Sequence, residues 1–130
     1  MSAETTALGL AALLQAAQIG LAGRFMNKDM GAAWNASPRD VEPHFSPMTG
    51  RLRRAVQNHF EGLALFTIAV VMVAVEDRSG PLTVLCAWLY LLARILYVPA
   101  YAFGWSPWRS IIWAVGFLST MTMILYTLFT

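Results

Sequence analysis

Two stretches of this chain carry no charge over the width of a membrane: Thr5 to Gly23, 19 residues, and Ser110 to Thr130, 21 residues. A helix needs roughly 20 apolar residues to cross the hydrocarbon of a bilayer, so both read as membrane spans. Composition agrees, because 58% of the 130 residues are hydrophobic and 12% are charged, against about 25% charged in an ordinary soluble domain. A soluble core of this length cannot hide so much apolar surface. A secretory signal is the competing reading of the first stretch. Glu4 is the only charge before Arg24, however, so the basic opening of such a signal is missing.

Two further spans are expected in the middle. Gly62 to Val75 is only 14 residues, but its helical pattern extends back to about Arg51, giving a rod of about 37 Å whose first third is amphipathic. Leu82 to Phe103 is interrupted by one charge, Arg94. Ser79, Gly80 and Pro81 make a tight break that forces these two spans to run antiparallel as neighbours. Gly104 to Pro107 makes the next break, with Ser106 expected to cap the last span and Pro107 to occupy its first turn. Pro99 should kink the third span or free a carbonyl near Ile95. Trp105, Trp108 and Trp113 cluster at that end, as rings that anchor helices at headgroup level do. The fold class is therefore all-α, an integral membrane four-helix bundle in one domain, residues 1–130, with spans near 5–25, 52–76, 81–103 and 108–129. Met26 to Gly50 is the one long irregular stretch, broken by Asn35, Ser37 and Pro38 and again by Pro43, Ser46, Pro47 and Gly50.

Basic residues set the expected topology. Arg24, Lys28, Arg39, Arg51, Arg53 and Arg54 all lie in or beside the first connection, whereas the Glu76, Asp77, Arg78 turn holds one. Such a bias places the first and third connections in the cytoplasm, and both termini on the other face, the periplasm of a bacterial inner membrane. The net charge of +2 reflects this bias, and with no basic face along the chain nucleic acid is not an expected partner. A lone Cys86 excludes a disulfide framework and a four-cysteine zinc site. Asp40, Glu42 and His44 on a flexible loop are a weak ligand set, so no metal is expected.

The polar residues inside apolar territory carry the functional reading. Arg54, Asn58 and Glu61, at i, i+4 and i+7, share one helix face, which Arg51 extends by a turn. Arg94, Tyr97 and Tyr101 repeat the spacing on the third span, and Arg109 opens the fourth. Arg94 lies about 14 Å from the nearer end of its helix, too deep to reach water easily, and a charge in hydrocarbon needs a partner. Glu61 is the one membrane-embedded carboxylate available. Either the two form a structural pair, within or between subunits, or the surplus of arginines awaits an anionic ligand. Guanidinium forks match carboxylates, and a guanidinium beside a thiol favours the thiolate. A small peptide carrying carboxylates and a thiol suits such a site, with Tyr101 or Ser110 donating to the sulfur. His59 points about 100° away from Asn58 on a helix and is expected to face an interface or a loop.

At these residues the chain resembles the MAPEG family, the membrane-associated proteins of eicosanoid and glutathione metabolism. The matching stretches are Arg51-Leu-Arg-Arg54-Ala-Val-Gln-Asn58-His-Phe-Glu61 and Ala93-Arg94-Ile-Leu-Tyr97-Val-Pro-Ala-Tyr101, followed by Gly104, Pro107, Arg109 and Ser110. The resemblance implies a homotrimer of four-helix subunits with glutathione, a cosubstrate, held between subunits. It also implies a membrane glutathione transferase or glutathione-dependent peroxidase acting on small hydrophobic electrophiles or lipid peroxides that arrive from the bilayer. By position, Arg51, Arg54, Asn58, Glu61, Arg94, Tyr97 and Tyr101 fall in the glutathione-binding set, with Arg94, Arg109 and Ser110 serving the thiolate. Gln57 replaces a basic residue found in several eicosanoid-forming members, and Trp113 a tyrosine of some catalytic members; both argue against an eicosanoid product. The alternative is a non-catalytic scaffold or lipid-binding protein fixed by a Glu–Arg pair. A small transporter or channel would need a polar path to the far face, and the polar residues are concentrated in one half.

Overall fold

Ser2 opens the first helix, its Oγ accepting from the Thr5 N–H at 3.1 Å, a side-chain cap that satisfies one of the unpaired donors of the first turn. From there α1 runs over Ala3–Met30 until Gly31, at φ 88°, ends it. A five-residue helix, α2 (Ala32–Ala36), follows, then α3 (Pro47–Val75), α4 (Pro81–Ala102) and α5 (Trp108–Phe129). The computed structural model describes residues 1–130 and contains no strand. Each of the four long helices is long and apolar enough to cross a membrane. The protein is an all-helical integral membrane bundle.

Three boundaries differ from the sequence reading. The first helix continues well past residue 25 because its terminal turns find polar partners outside the apolar run, including the Ser46 N–H donating to Asp29 Oδ2 at 2.7 Å. The breakers before the second span are its start signal: Ser46 Oγ accepts from the Thr49 N–H at 3.3 Å, Pro47 takes the first helical position, and Gly50 lies inside the helix. Ser106 makes no capping bond to α5; Pro107 occupies the cap position and its carbonyl accepts from the Ser110 N–H at 3.1 Å. Changing Ser46 to Ala should cost about 1 kcal/mol by removing that cap, read as a lower midpoint in a denaturant titration of detergent-solubilised protein.

One face of α1 sets how closely the helices approach. Glu4, Ala7, Ala11, Gln15, Gln18, Ala22 and Met26 are buried along it, and small residues in such a stripe let backbones come together in lipid, where apolar side chains gain nothing from leaving water. Ala7 and Ala11 meet Phe66, Ala69, Val70 and Val73 of α3 and Cys86, Ala87 and Tyr90 of α4 in the main core cluster. Phe66 and Tyr90 stack with ring centroids 3.9 Å apart and planes 13° from parallel. Leu13, Ile68, Leu92 and Leu118 are exposed on the outside, as a surface bathed in lipid tails requires. The most extensive packing joins α4 to α5 and α1 to α3. Pro99 sits inside α4, which continues through it to Ala102.

Candidate functional site

Three bonds tie the first half of α3 to the last half of α4, as antiparallel neighbours. Arg51 Nη1 donates to the Ala102 carbonyl at 3.3 Å, Arg54 Nε donates to the Tyr101 hydroxyl at 3.0 Å, and Arg94 Nη1 donates to Asn58 Oδ1 at 2.9 Å. Aromatic faces complete the cluster. The Arg94 guanidinium carbon lies 4.3 Å from the Tyr97 ring centre, and that of Arg109, from the first turn of α5, lies 5.0 Å from the Tyr101 ring. Tyr97 and Tyr101 meet edge to face at 5.6 Å. Four guanidinium groups thus converge, and the bonds they make go to an amide oxygen, a phenol and a backbone carbonyl, none to a carboxylate.

Arg94 is the centre of the arrangement. It is 4% exposed, and its Nε and Nη2 are buried without any partner. A buried cation with two unused donors is costly unless something neutralises it. The expected Glu61–Arg94 pair does not form within the chain. Glu61 is exposed and takes its bond from Gln57 Nε2 at 3.3 Å, while Asn58 faces Arg94. The two positions are three residues apart on one helix, about 60° in direction, enough that one turns toward α4 and the other outward. Ser110 is exposed on the first turn of α5, and its side chain makes no bond to the arginines.

A narrow cleft reaches Arg94 from the side between α3 and α5. Gly62, Tyr90, Trp113, Gly116 and Thr120 line it with Arg94, and its volume of about 20 Å³ suits a single water. A Cβ on Gly62 would meet the Tyr90 hydroxyl at 3.5 Å, and one on Gly116 would meet Ala93 Cβ at 3.5 Å and Arg94 Cδ at 4.0 Å, ordinary contacts that would narrow the cleft without a clash. The Tyr90 hydroxyl is buried and unpartnered. Trp113 stacks on Phe117 at 5.0 Å, forming an apolar lip. A larger open cavity of about 590 Å³ lies against Arg54, bordered by Ser46, Gly50, Arg53 and Gln57.

Sequence reasoning missed several of these residues. His59 is fully buried with neither ring nitrogen partnered, rather than facing an interface or a loop. It continues the buried stripe of Leu52, Ala55 and Phe66, a seven-residue periodicity that was available in the sequence. Gln15, whose Nε2 donates to the Val56 carbonyl at 3.3 Å, and Gln18 extend the polar interior from α1; their helical spacing with Ala11 and Ala22 was likewise legible. Asp40, Glu42 and His44 lie exposed in the connection. A model of the MAPEG family matches residues 5–129 of the chain. No curated protein and no solved structure matches it.

Proposed function

Because the chain belongs to the MAPEG family, we propose that it is a membrane-bound glutathione transferase or glutathione-dependent peroxidase acting on small hydrophobic electrophiles or lipid peroxides. The observation that carries this reading is Arg94, buried with Nε and Nη2 unpartnered, at the same end of the bundle as Arg51, Arg54 and Arg109. Glutathione supplies what that set lacks, two carboxylates and a thiol.

In this reading Arg51 and Arg54 hold carboxylate groups by charge-assisted bonds, and Asn58, Tyr97 and Tyr101 orient the peptide. Glu61 receives its ammonium. Arg94 and Arg109 stabilise the sulfur as thiolate, since a nearby cation favours the charged form, and the Ser110 hydroxyl assists the sulfur. The thiolate then attacks an electrophilic carbon, forming the C–S bond as the leaving group departs with its electron pair, or a peroxide oxygen, breaking the O–O bond to give the lipid alcohol and glutathione sulfenic acid, which a second glutathione converts to the disulfide and water; Trp113 and Phe117 offer an apolar wall to the lipid side.

The assembly proposed with this reading is the homotrimer that the family resemblance implies, and the place of Glu61 supports a covering copy. Glu61 borders the apolar run that begins at Gly62 and is exposed on a lone subunit, a position costly against hydrocarbon. A neighbouring copy covers it and completes the ligand site. The arginine-rich end faces the cytoplasm by the positive-inside bias, with the termini in the periplasm of a bacterial inner membrane.

Arg109, exposed and outside the packed core, permits a direct test. Changing it to Ala should lower the rate of glutathione conjugation to a model electrophile by about 10²-fold, the usual size of one lost transition-state charge contact. Assembly, measured by gel filtration in detergent, should not change. Conjugation at the wild-type rate would remove Arg109 from the mechanism.

A further inference from the structure

The other end of the bundle holds a buried acid that the glutathione reading does not use. Glu4 is 1% exposed. Its Oε1 accepts from the Ser79 hydroxyl at 2.8 Å and from the Thr83 hydroxyl at 2.7 Å. Its Oε2 is buried with no partner. A carboxylate oxygen left in this state is expensive, and the surroundings show which kind of group would relieve it.

Glu4 borders a cavity of about 240 Å³ whose other polar walls are Ser2, Asp77 and Ser79, and whose apolar walls include Val70 and Val73. No basic residue lines it. Helix α3 ends beside it at Val75, while α1 and α4 begin beside it at Ala3 and Pro81, so the helix dipoles there largely offset one another. The two carboxylates and the hydroxyl oxygens of Ser2 and Ser79 favour a cation. A metal ion is a poor match: nowhere in the chain do three histidine, cysteine or acidic side chains come together, and the space far exceeds a bare ion. A primary ammonium fits the donor count, with three N–H groups for oxygen acceptors, and the valines suit the carbon chain attached to it.

Position identifies the source. Ser2 and Glu4 begin α1, while Asp77 and Ser79 form the turn between α3 and α4, so the cavity lies where the spans leave the bilayer, at headgroup level. We propose that this cavity binds the primary ammonium of an aminophospholipid headgroup, held by Glu4 and Asp77, with the headgroup phosphate left outside the cavity in water. The site is separate from the arginine cluster, at the opposite ends of α3 and α4, and stands whether or not glutathione binds there.

The experiment uses the full chain in nanodiscs of phosphatidylcholine and phosphatidylethanolamine in equal amounts, with retained lipid measured by native mass spectrometry. Choline, a quaternary ammonium, has no N–H to donate. Wild-type protein should retain phosphatidylethanolamine preferentially, and Glu4→Gln should reduce that preference about tenfold, the equivalent of one charge-assisted bond. Asp77→Asn should also reduce it; Asp77 is exposed and sits at φ 52°, a conformation asparagine adopts readily, so this variant folds even if the Glu4 change does not. Equal retention of the two lipids by wild type, or a preference unchanged in Asp77→Asn, would overturn the proposal. Displacement of the lipid by an equal concentration of free ethanolamine would also overturn the assignment to a lipid, placing a soluble amine in the cavity instead.

Discussion

Arg94→Met should abolish glutathione chemistry, by about 10³-fold in turnover, and leave the protein no less stable to heat. These outcomes are expected together because Arg94 is a buried cation with two unused donors. Methionine fills a similar length without a charge, and replacing a poorly paired buried ion by an apolar side chain is often neutral or stabilising. The single bond it loses, to Asn58, ends on a half-buried amide that water or a neighbour can satisfy. A structural arginine would behave in the opposite way, with stability falling and any residual activity tracking the folded fraction. Conjugation rate and melting temperature measured on the same preparation separate the two.

Phe66→Ala should be the most damaging change to the fold. Phe66 is completely buried and stacked on Tyr90, and its neighbours across the interface are Ala7 and Ala11, too short to move into the space it leaves. Cavities of this kind cost about 3–5 kcal/mol in soluble cores. In lipid the part due to water transfer disappears and the packing part remains, so the loss should fall near the lower end, about 3 kcal/mol. Phe66→Leu keeps most of the volume and should cost less than half as much. Unfolding by denaturing detergent, followed by the fluorescence of the tryptophans, gives both values. Because Tyr90 also lines the cleft beside Arg94, the alanine variant should lose glutathione affinity as well.

The bundle was legible in the sequence because membrane helices are written in long, local signals. Uncharged runs such as Ser110 to Thr130 fix a span without reference to anything else in the chain. Helix starts were harder, as Ser46 and Pro47 show: the residues that break one helix also begin the next, and which role they play depends on the residues downstream of them. The face shared by Arg54 and Asn58 was likewise readable from periodicity, and so was the arginine surplus. The partner of Arg94 was not. Asn58 and Glu61 are both polar, both within reach by spacing, and charge favours the glutamate; the rotation of α3 against α4 decides for the asparagine. Glu4 went unnoticed as a site because its hydroxyl partners, Ser79 and Thr83, are more than 70 residues away and only the fold brings them to it.

Titrating glutathione into detergent-solubilised protein while following thiolate absorbance in the ultraviolet tests most directly whether the buried Arg94 and the exposed Arg109 ionise a bound thiol. The expected result is a saturable rise in thiolate at a pH where free glutathione stays protonated, absent in Arg94→Met and reduced in Arg109→Ala. A wild-type protein that binds no glutathione, or binds it with the thiol still protonated, would contradict the role given to those side chains.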